Sequence, residues 1–480
     1  MEKVRTLSAP EGTGSILCCA LSPHGSRTAL ALGGEEAAAC VLDLRVAGAG
    51  GDASSSTSAV AHSLRAGLGC FHADDAVASV TWHPTREHVL LCAHGRVVTA
   101  WDVRHLPSET AASADSAAAA VAGMSLAETR TGDAAAGAAP RGRVHLYAFN
   151  NDEVNSVCVD RKGRRMCAAD DGGEIVVVDI GDETSVSGAL VRTLKNGHEN
   201  IAAGAVFRDH KPHDVVSGGL DCAVCKWDQS RATPVATWRV GELVAALDAE
   251  SGSLGADDDD AAASPPPMCN PPMVHAIACA NGFEVSDDCA GVKRLVAAAC
   301  GDGTCALIDL DLPAAKSGAG KSRNNKSGSR TSKGRSSSSS SAAAGGEAGG
   351  TSGSAGNDPF ASHGGRERRA AVFLGRSVGG ARSEAGHSGS CNSVAFAGWS
   401  GGRLVLTGGN DRHVGVWDWR ECGGGAGGGG AGGGARVRFF RHGRKVNWVC
   451  AAQALDNPGG FGDTFVADTG ETVAAYALSL

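Results

Sequence analysis

Aromatic residues are scarce in this chain of 480 residues, of which they make up 4%. The few that occur are unevenly distributed, because eight Trp accompany only two Tyr. Apolar runs are short as well: no stretch of about 18 strongly apolar residues occurs, which argues against a membrane-spanning helix. The first residues, MEKVRTLSAPEG, lack the apolar core of a secretory signal, so we expect none. The excess of Trp over Tyr indicates a recurring structural need for tryptophan.

Charge and cysteine content narrow the class of protein further. The formal net charge is -8 and the isoelectric point about 6.1, which argues against a surface built mainly for nucleic acid. Without a secretory signal, the 17 cysteines are expected to be reduced thiols of a protein in the nucleus, the cytoplasm or both. The motif CAVC (222–225) has the spacing of half a zinc site, but no second pair accompanies it. We therefore interpret both cysteines as core residues.

No arrangement of residues in the sequence predicts catalysis. Neither a Gly-x-Ser-x-Gly elbow nor a His-Glu-x-x-His helix is present. The segment AKSGAGKS (315–322) imitates a phosphate-binding loop, but Ala315 replaces its first glycine and no helix-forming sequence follows it. We expect no catalytic residues, no cofactor and no bound metal.

Two long segments, 197–228 and 386–418, align with each other over their whole lengths. Each opens with Gly-His, passes through an apolar stretch, reaches VVSGGLD or VLTGGND and ends on Trp-Asp. Five weaker copies surround them, and short strands between Gly, Asp and Asn turns are typical of propeller blades. The sequence therefore predicts an all-β fold, a single seven-bladed β-propeller spanning residues 1–480. Its blades are expected near residues 16–45, 76–104, 145–180, 197–230, 273–312, 386–420 and 437–480.

The two ends of the chain are expected to close the ring. Residues 3–9 should pair as the outer strand of the blade that ends the chain at 473–480, which removes exposed sheet edges. Five segments of low complexity do not fit blades, because their compositions bury too little apolar surface to become ordered. These disordered inserts are predicted at 46–70, 105–143, 246–272, 313–382 and 421–435.

Polar residues recur at fixed offsets from tryptophan in the two strong repeats. These repeats resemble WD-repeat blades, in which an indole N–H, a Ser or Thr hydroxyl, the Gly-His imidazole and a turn aspartate form a buried hydrogen-bonded chain. The resemblance implies one network in blade four and one in blade six, formed by His198, Ser217, Asp221 and Trp227, and by His387, Thr407, Asp411 and Trp417. The other five blades keep only parts of this set, so apolar packing should contribute more to their cohesion.

The sequence Trp-Asp-x-Arg ends two of the predicted blades, at 101–104 and 417–420. On an extended strand, Asp102 and Arg104 project to the same side while Trp101 faces the other way. Under one interpretation they form a local ion pair that pins the turn and contributes about 0–1 kcal/mol. Under the other, the arginine is an anchor for a partner protein, a role that its planar group of donors suits.

The Trp-Asp-x-Arg motif resembles the signature of WD-repeat substrate receptors of cullin-4 ubiquitin ligases, which dock on the DNA-damage-binding protein 1 adaptor. The sequence LDLR adds a partial copy in blade one, with Leu42 in place of tryptophan. In blade four the sequence WDQSR shifts the arginine to Arg231, so that blade should not contribute. The resemblance implies adaptor docking by Asp102, Arg104, Asp418, Arg420, Asp43 and Arg45.

We therefore expect a monomeric, non-catalytic interaction scaffold that links an unidentified client protein to the adaptor of a cullin-4 ligase. A chromatin or histone-peptide reader is one alternative, but it needs an aromatic cage that so few aromatic residues supply poorly. Another WD-repeat scaffold is also possible. RNA binding through the basic insert 313–382 is a further alternative, although nucleic acid and membranes are not expected partners.

Overall fold

A computed structural model gives the architecture of the protein. It describes residues 2–10, 12–24, 29–36, 38–44, 60–63, 75–105, 142–181, 186–250, 270–314, 360, 369–375, 386–422, 436–453 and 463–477. Most of each predicted insert lies outside these residues, as do Arg45 and the segment 315–322. Within the described residues, no helix combines the length and the apolar character that crossing a membrane requires.

The described strands form seven antiparallel sheets of four strands each, which are the seven predicted blades. We letter the strands of each blade a to d, from the first to the last in the sheet order. Blade one contains β2 (Ile16–Leu21), β3 (Ala29–Gly34), β4 (Ala39–Asp43) and β5 (Val60–Ser63), and blade two contains β6 (Val77–Trp82), β7 (Val89–His94), β8 (Val97–Asp102) and β9 (Arg143–Tyr147). Blade three contains β10 (Val154–Val159), β11 (Arg165–Asp170), β12 (Ile175–Gly181) and β13 (Val186–Leu194). Blade four contains β14 (Ala202–Arg208), β15 (Lys211–Gly219), β16 (Ala223–Asp228) and β17 (Ala236–Arg239).

The remaining blades follow the same order of strands, and blade seven takes its strand d from the start of the chain. Blade five contains β18 (Val274–Cys279), β19 (Leu295–Cys300), β20 (Cys305–Asp309) and β21 (Ala371–Leu374). Blade six contains β22 (Cys391–Ala397), β23 (Leu404–Gly409), β24 (His413–Asp418) and β25 (Arg436–Arg441). Blade seven contains β26 (Val446–Ala451), β27 (Thr464–Asp468), β28 (Thr472–Ala477) and β1 (Glu2–Ser8). Among the described residues, the helical segments are α1 (Val240–Glu250) and 3-10 turns at Val103–His105, Asp287–Arg294, Gly398–Ser400 and Trp419–Glu421.

The hydrophobic core lies between blades. Strand β8, for example, is buried along its whole length except for Asp102, because neighbouring sheets cover both of its faces. The described residues contain seven separate clusters of buried apolar side chains, each built from residues of two adjacent blades. Strand a of each blade contacts strand a of the next, including β26 against β2, so the ring is closed.

Pairing of the chain ends confirms the predicted closure. Strand β1 is antiparallel to β28 and runs from Glu2 opposite Ala477 to Ser8 opposite Thr472. The outer strand of blade seven is therefore supplied by the start of the chain. This pairing joins the two ends of the chain in one sheet. Separating β1 from β28 would therefore break the hydrogen bonds between the two strands and expose the buried Leu7 side chain.

Several predicted boundaries were wrong at the outer strands. β5 and β21 lie inside the segments 46–70 and 313–382, which were predicted to be inserts. β9 and β25 were predicted to open the third and seventh blades, at 145–180 and 437–480, but they pair with β8 and β24 as strands d of blades two and six. Helix α1 similarly occupies the start of the segment 246–272.

Antiparallel alternation places the connections on two faces of the ring. The a–b and c–d connections lie together on one face, which we call the lower face, and the b–c and d–a connections lie on the upper face. Both Trp-Asp-x-Arg segments end a strand c. Their arginines therefore lie on the lower face.

Candidate functional site

The predicted hydrogen-bonded chain is present in blade four. The indole Nε1–H of Trp227 donates to the Ser217 hydroxyl at 2.7 Å, and that hydroxyl lies 2.7 Å from Nε2 of His198. Nδ1 of His198 lies 3.0 Å from the Asp221 carboxylate, which also accepts a hydrogen bond from a backbone N–H. Gly197 is required beside it, since a Cβ there would lie 2.2 Å from the Trp227 ring. The chain joins strands b and c to the preceding d–a connection.

Blade six contains the same chain with threonine in place of serine. Trp417 donates to Thr407 at 2.8 Å, Thr407 lies 2.9 Å from Nε2 of His387, and Nδ1 of His387 lies 2.9 Å from Asp411. Burial alone would raise the pKa of the Asp411 carboxyl, but the histidine and two backbone N–H groups lower it by more. The pKa of Asp221 in blade four is lowered for the same reasons. Both carboxylates are therefore committed to structure.

Two related networks were missed in the sequence. In blade seven, His442 takes the place of the Gly-His histidine, with Nδ1 2.7 Å from the Tyr476 hydroxyl and Nε2 2.8 Å from Asp468. The signal was available, because His442 precedes strand a by the same four residues as His198 and His387 do. In blade two, Trp101 donates to Thr99 at 2.9 Å, but the histidine is His94 of strand b, 3.4 Å away.

An aspartate at or near the end of strand c has the same structural task in five blades. Its Oδ1 accepts the backbone N–H of the residue two positions later, at 2.8–3.1 Å, and so caps the c–d turn. The aspartates concerned are Asp102, Asp179, Asp228, Asp309 and Asp418. Strands β8 and β24 end at Asp102 and Asp418, so the expected geometry of two residues alternating on one strand was wrong: Arg104 and Arg420 lie in 3-10 turns.

Arg104 is held by Asp102 and remains largely exposed. Its Nε donates to Oδ1 at 3.0 Å and its Nη2 to Oδ2 at 2.6 Å, a bidentate pair. The guanidinium lowers the pKa of the Asp102 carboxyl, so the pair stays ionised at neutral pH. The side chain of Arg104 is 58% exposed, against 14% for Asp102. Within the described residues, two of the five guanidinium N–H groups form hydrogen bonds, both to Asp102.

In blade six, the aspartate and the arginine of the motif bind other partners than the corresponding residues of blade two do. Asp418 is buried, and its Oδ2 accepts from Nε of Arg403 while Oδ1 caps the turn. It cannot touch a partner protein, so its predicted role as a docking residue was wrong. Arg420 is 29% exposed and donates from Nη1 to Asp288 at 2.7 Å, while its Nε stays 3.6 Å from Asp418. The two motifs share a sequence but not a set of contacts.

The remaining predicted docking residues contribute less. Asp43 is half-buried at the end of β4 and has an interaction partner, whereas Arg45 lies outside the described residues. In blade four, Ser230 takes the position of the arginine and Arg231 is an exposed residue one position later. Arg104 and Arg420 lie on the same face, but blades seven and one separate their blades in the ring.

Hydrogen bonds between a–b connections join the first three blades on the lower face. Nε2 of His24 lies 2.8 Å from the carbonyl of His83, and Nε2 of His83 lies 2.9 Å from the carbonyl of Gly163. Burial and the charge of Arg86 lower the pKa of His83 to about 4, so its ring is neutral. Nδ1 of His83 then accepts from the backbone N–H of Arg86 at 3.1 Å. The lower face is thus stiffened across blade boundaries.

The cysteines give no sign of a metal centre in the part of the chain that the structure describes. No group of three or more His, Cys, Asp or Glu there could hold a metal ion, and the 15 cysteines within it are free thiols. Cys225 is buried as predicted, but Cys222 is not a core residue. It lies half-exposed in the turn before β16, with a φ of 62°.

The seven-bladed ring and its Trp-Ser/Thr-His-Asp networks define a WD-repeat protein. Residues 381–418 match the family model described as WD domain, G-beta repeat. The chain is similar to the WD repeat-containing protein 53 homolog of Dictyostelium discoideum, with 27% identity over 166 residues. That match covers 34% of this chain and 40% of the relative, so it spans less than half of either protein. Propellers of this class are typically non-catalytic scaffolds for protein interactions.

Proposed function

We propose that the protein is a substrate receptor that docks on the DNA-damage-binding protein 1 adaptor of cullin-4 ubiquitin ligases. The lower face of the propeller would contact the adaptor, leaving other surfaces to bind a client protein. The proposal places the protein in the nucleus, the cytoplasm or both, where its thiols would stay reduced.

The observation that carries this proposal is the geometry of Arg104. The bidentate bond to Asp102 fixes the guanidinium, so a partner does not have to immobilise a flexible side chain. The group nevertheless keeps more than half of its surface exposed, and among the described residues only two of its five donors form hydrogen bonds. A planar donor group that is fixed in advance is a typical anchor at protein interfaces.

Arg420 supports the proposal in a secondary role. It lies in the equivalent turn of blade six but is partly covered, and the exposed Asp288 already accepts its hydrogen bond. A partner would have to displace that carboxylate or bind it together with the arginine. We therefore expect the Arg104→Ala variant to lose more affinity than the Arg420→Ala variant.

The test uses the full-length protein and purified adaptor, with affinity measured by calorimetry. Arg104→Ala should weaken binding by about tenfold or more, and adding Arg420→Ala should abolish detectable binding, in line with typical hot-spot losses. Arg231→Ala is the matched control, since it removes an exposed arginine near a c–d turn of the same face and should change nothing. Unchanged affinity of the double variant, with its thermal stability intact, ends the assignment.

A further inference from the structure

A second basic feature of the lower face lies in the a–b turn of blade three, with the sequence Asp-Arg-Lys-Gly-Arg-Arg. We call residues 160–165 the basic turn. Its three side chains Arg161, Lys162 and Arg164 are exposed, and none forms an ion pair within 4.0 Å in the described part of the chain. Three cations without a bound carboxylate, within four consecutive residues, form a local positive surface on a protein of net charge -8.

The backbone of the basic turn is held from within. The Asp160 carboxylate accepts the backbone N–H groups of Arg164 at 2.7 Å and of Arg165 at 2.9 Å. The Asp160 carbonyl accepts the N–H of Gly163 at 2.8 Å. Asp160, the acidic residue of the turn, is 7% exposed. Its carboxylate caps the backbone of the turn and does not cover the charged groups at the tip.

Both neighbouring blades also fix the turn. On one side, His83 of blade two bonds to the carbonyl of Gly163, whose φ of 67° and close approach to that ring leave no room for a Cβ. On the other side, Arg165 donates to the side-chain carbonyl of Gln229 in blade four. The three cations thus project from a rigid base, and a partner binding them has little backbone entropy to remove.

The basic turn is continuous with the predicted anchor. Gly163 contacts the a–b connection of blade two through His83, and the same connection bonds to the c–d turn through the N–H of Val103 and the carbonyl of His88. Arg104 follows Val103 directly.

We infer that the basic turn receives an acidic segment of the protein that Arg104 anchors, and so extends the docking surface from blade two to blade three. This inference rests on the proposed function, which makes that protein the DNA-damage-binding protein 1 adaptor. Charge complementarity favours an acidic protein surface over nucleic acid, because three cations supply few phosphate contacts on a chain whose net charge is negative. Charges of this kind act mainly on the rate of association.

The test compares two triple variants of the full-length protein by surface plasmon resonance with purified adaptor. One replaces Arg161, Lys162 and Arg164 by Ala and leaves the residues that hold the turn untouched. The matched control replaces three exposed basic residues at the outer edge and upper face of blades six and seven, with the same change in net charge; these residues are Arg438, Arg441 and Lys445.

The turn variant should associate roughly tenfold more slowly at low salt, with a difference that shrinks as salt rises, while the control associates like the wild type. Equal slowing of both variants overturns the inference, because a change in net charge would then explain it. So does wild-type association of the turn variant, or a loss confined to a single-stranded RNA probe. If the wild-type protein does not bind the adaptor at all, the proposed function fails first, and the inference with it.

Discussion

The threonine at the centre of the blade-six network offers a quantitative test of the structure. Thr407→Val keeps the shape of the side chain and removes only the hydroxyl, so it creates almost no cavity. The variant leaves the Trp417 indole N–H without the acceptor it has at 2.8 Å, and Nε2 of His387 without its neighbour at 2.9 Å. Both groups are buried, and each lost partner costs about 1–3 kcal/mol. We expect a total loss of about 2–6 kcal/mol.

A comparison within the same molecule sharpens this estimate. In blade two, Thr99 accepts from Trp101 at 2.9 Å, but His94 lies 3.4 Å away, too far for a strong bond. Thr99→Val should therefore strand one buried donor and cost about 1–2 kcal/mol. Ser217→Ala in blade four should resemble Thr407→Val, with an added loss of packing.

Urea denaturation followed by tryptophan fluorescence measures these differences as shifts of the midpoint at constant slope. The expected order of destabilisation is Thr407→Val above Thr99→Val. The reasoning that these hydroxyls satisfy buried partners would be refuted if the free energy of unfolding of Thr407→Val lay within about 0.5 kcal/mol of the wild-type value. The reverse order of destabilisation would refute it as well.

Three further predictions concern the lower face and the junctions between blades. Gly163→Ala should lower the melting temperature by several degrees, because a Cβ at φ 67° would lie 2.2 Å from His83, whereas Gly443→Ala, with open space around it, should not. The pKa of His83 is lowered to about 4 in the folded protein, so below about pH 6.5 the unfolded chain binds more protons than the folded one. The free energy of unfolding, measured by urea titration, should therefore fall as the pH is lowered from 6.5 towards 4. The fall should be less steep for His83→Gln. Ser393→Ala should cost about 1–2 kcal/mol in the same assay, since the N–H of Val449 in the next blade loses its acceptor at 3.0 Å.

Most of the ring could be predicted from the sequence, because strands b and c are largely buried, strands a are partly buried, and all three are bounded by turn residues. Strands d were harder to predict, since several of them, such as β1, β9 and β25, are exposed or half-buried along most of their length and carry little periodicity. Strand β25, Arg-Val-Arg-Phe-Phe-Arg, is exposed or half-buried throughout and looks like the start of the next repeat. Strands β5 and β21 each follow a long segment of low complexity, so nothing nearby in the sequence ties them to their blades.

The predicted site shows the same division between local and tertiary information. The offsets of His198 and His387 from tryptophan are local, and the networks they predict are present. The contacts of Arg420 and Asp418 depend on Asp288 and Arg403, from a neighbouring blade and another connection of the same blade. Two identical motifs therefore differ in structure: Arg104 is paired with the aspartate of its own motif and largely exposed, whereas Arg420 is paired with Asp288 and partly covered.

The most direct measurement of the central claim is hydrogen–deuterium exchange of the full-length protein with and without the DNA-damage-binding protein 1 adaptor. Binding through the lower face predicts slower exchange of backbone amides at residues 103–105, 160–165 and 419–421, with the upper-face connections around His198 and His387 unchanged. Protection confined to the upper face, or equal exchange in both samples at saturating adaptor, would contradict the account.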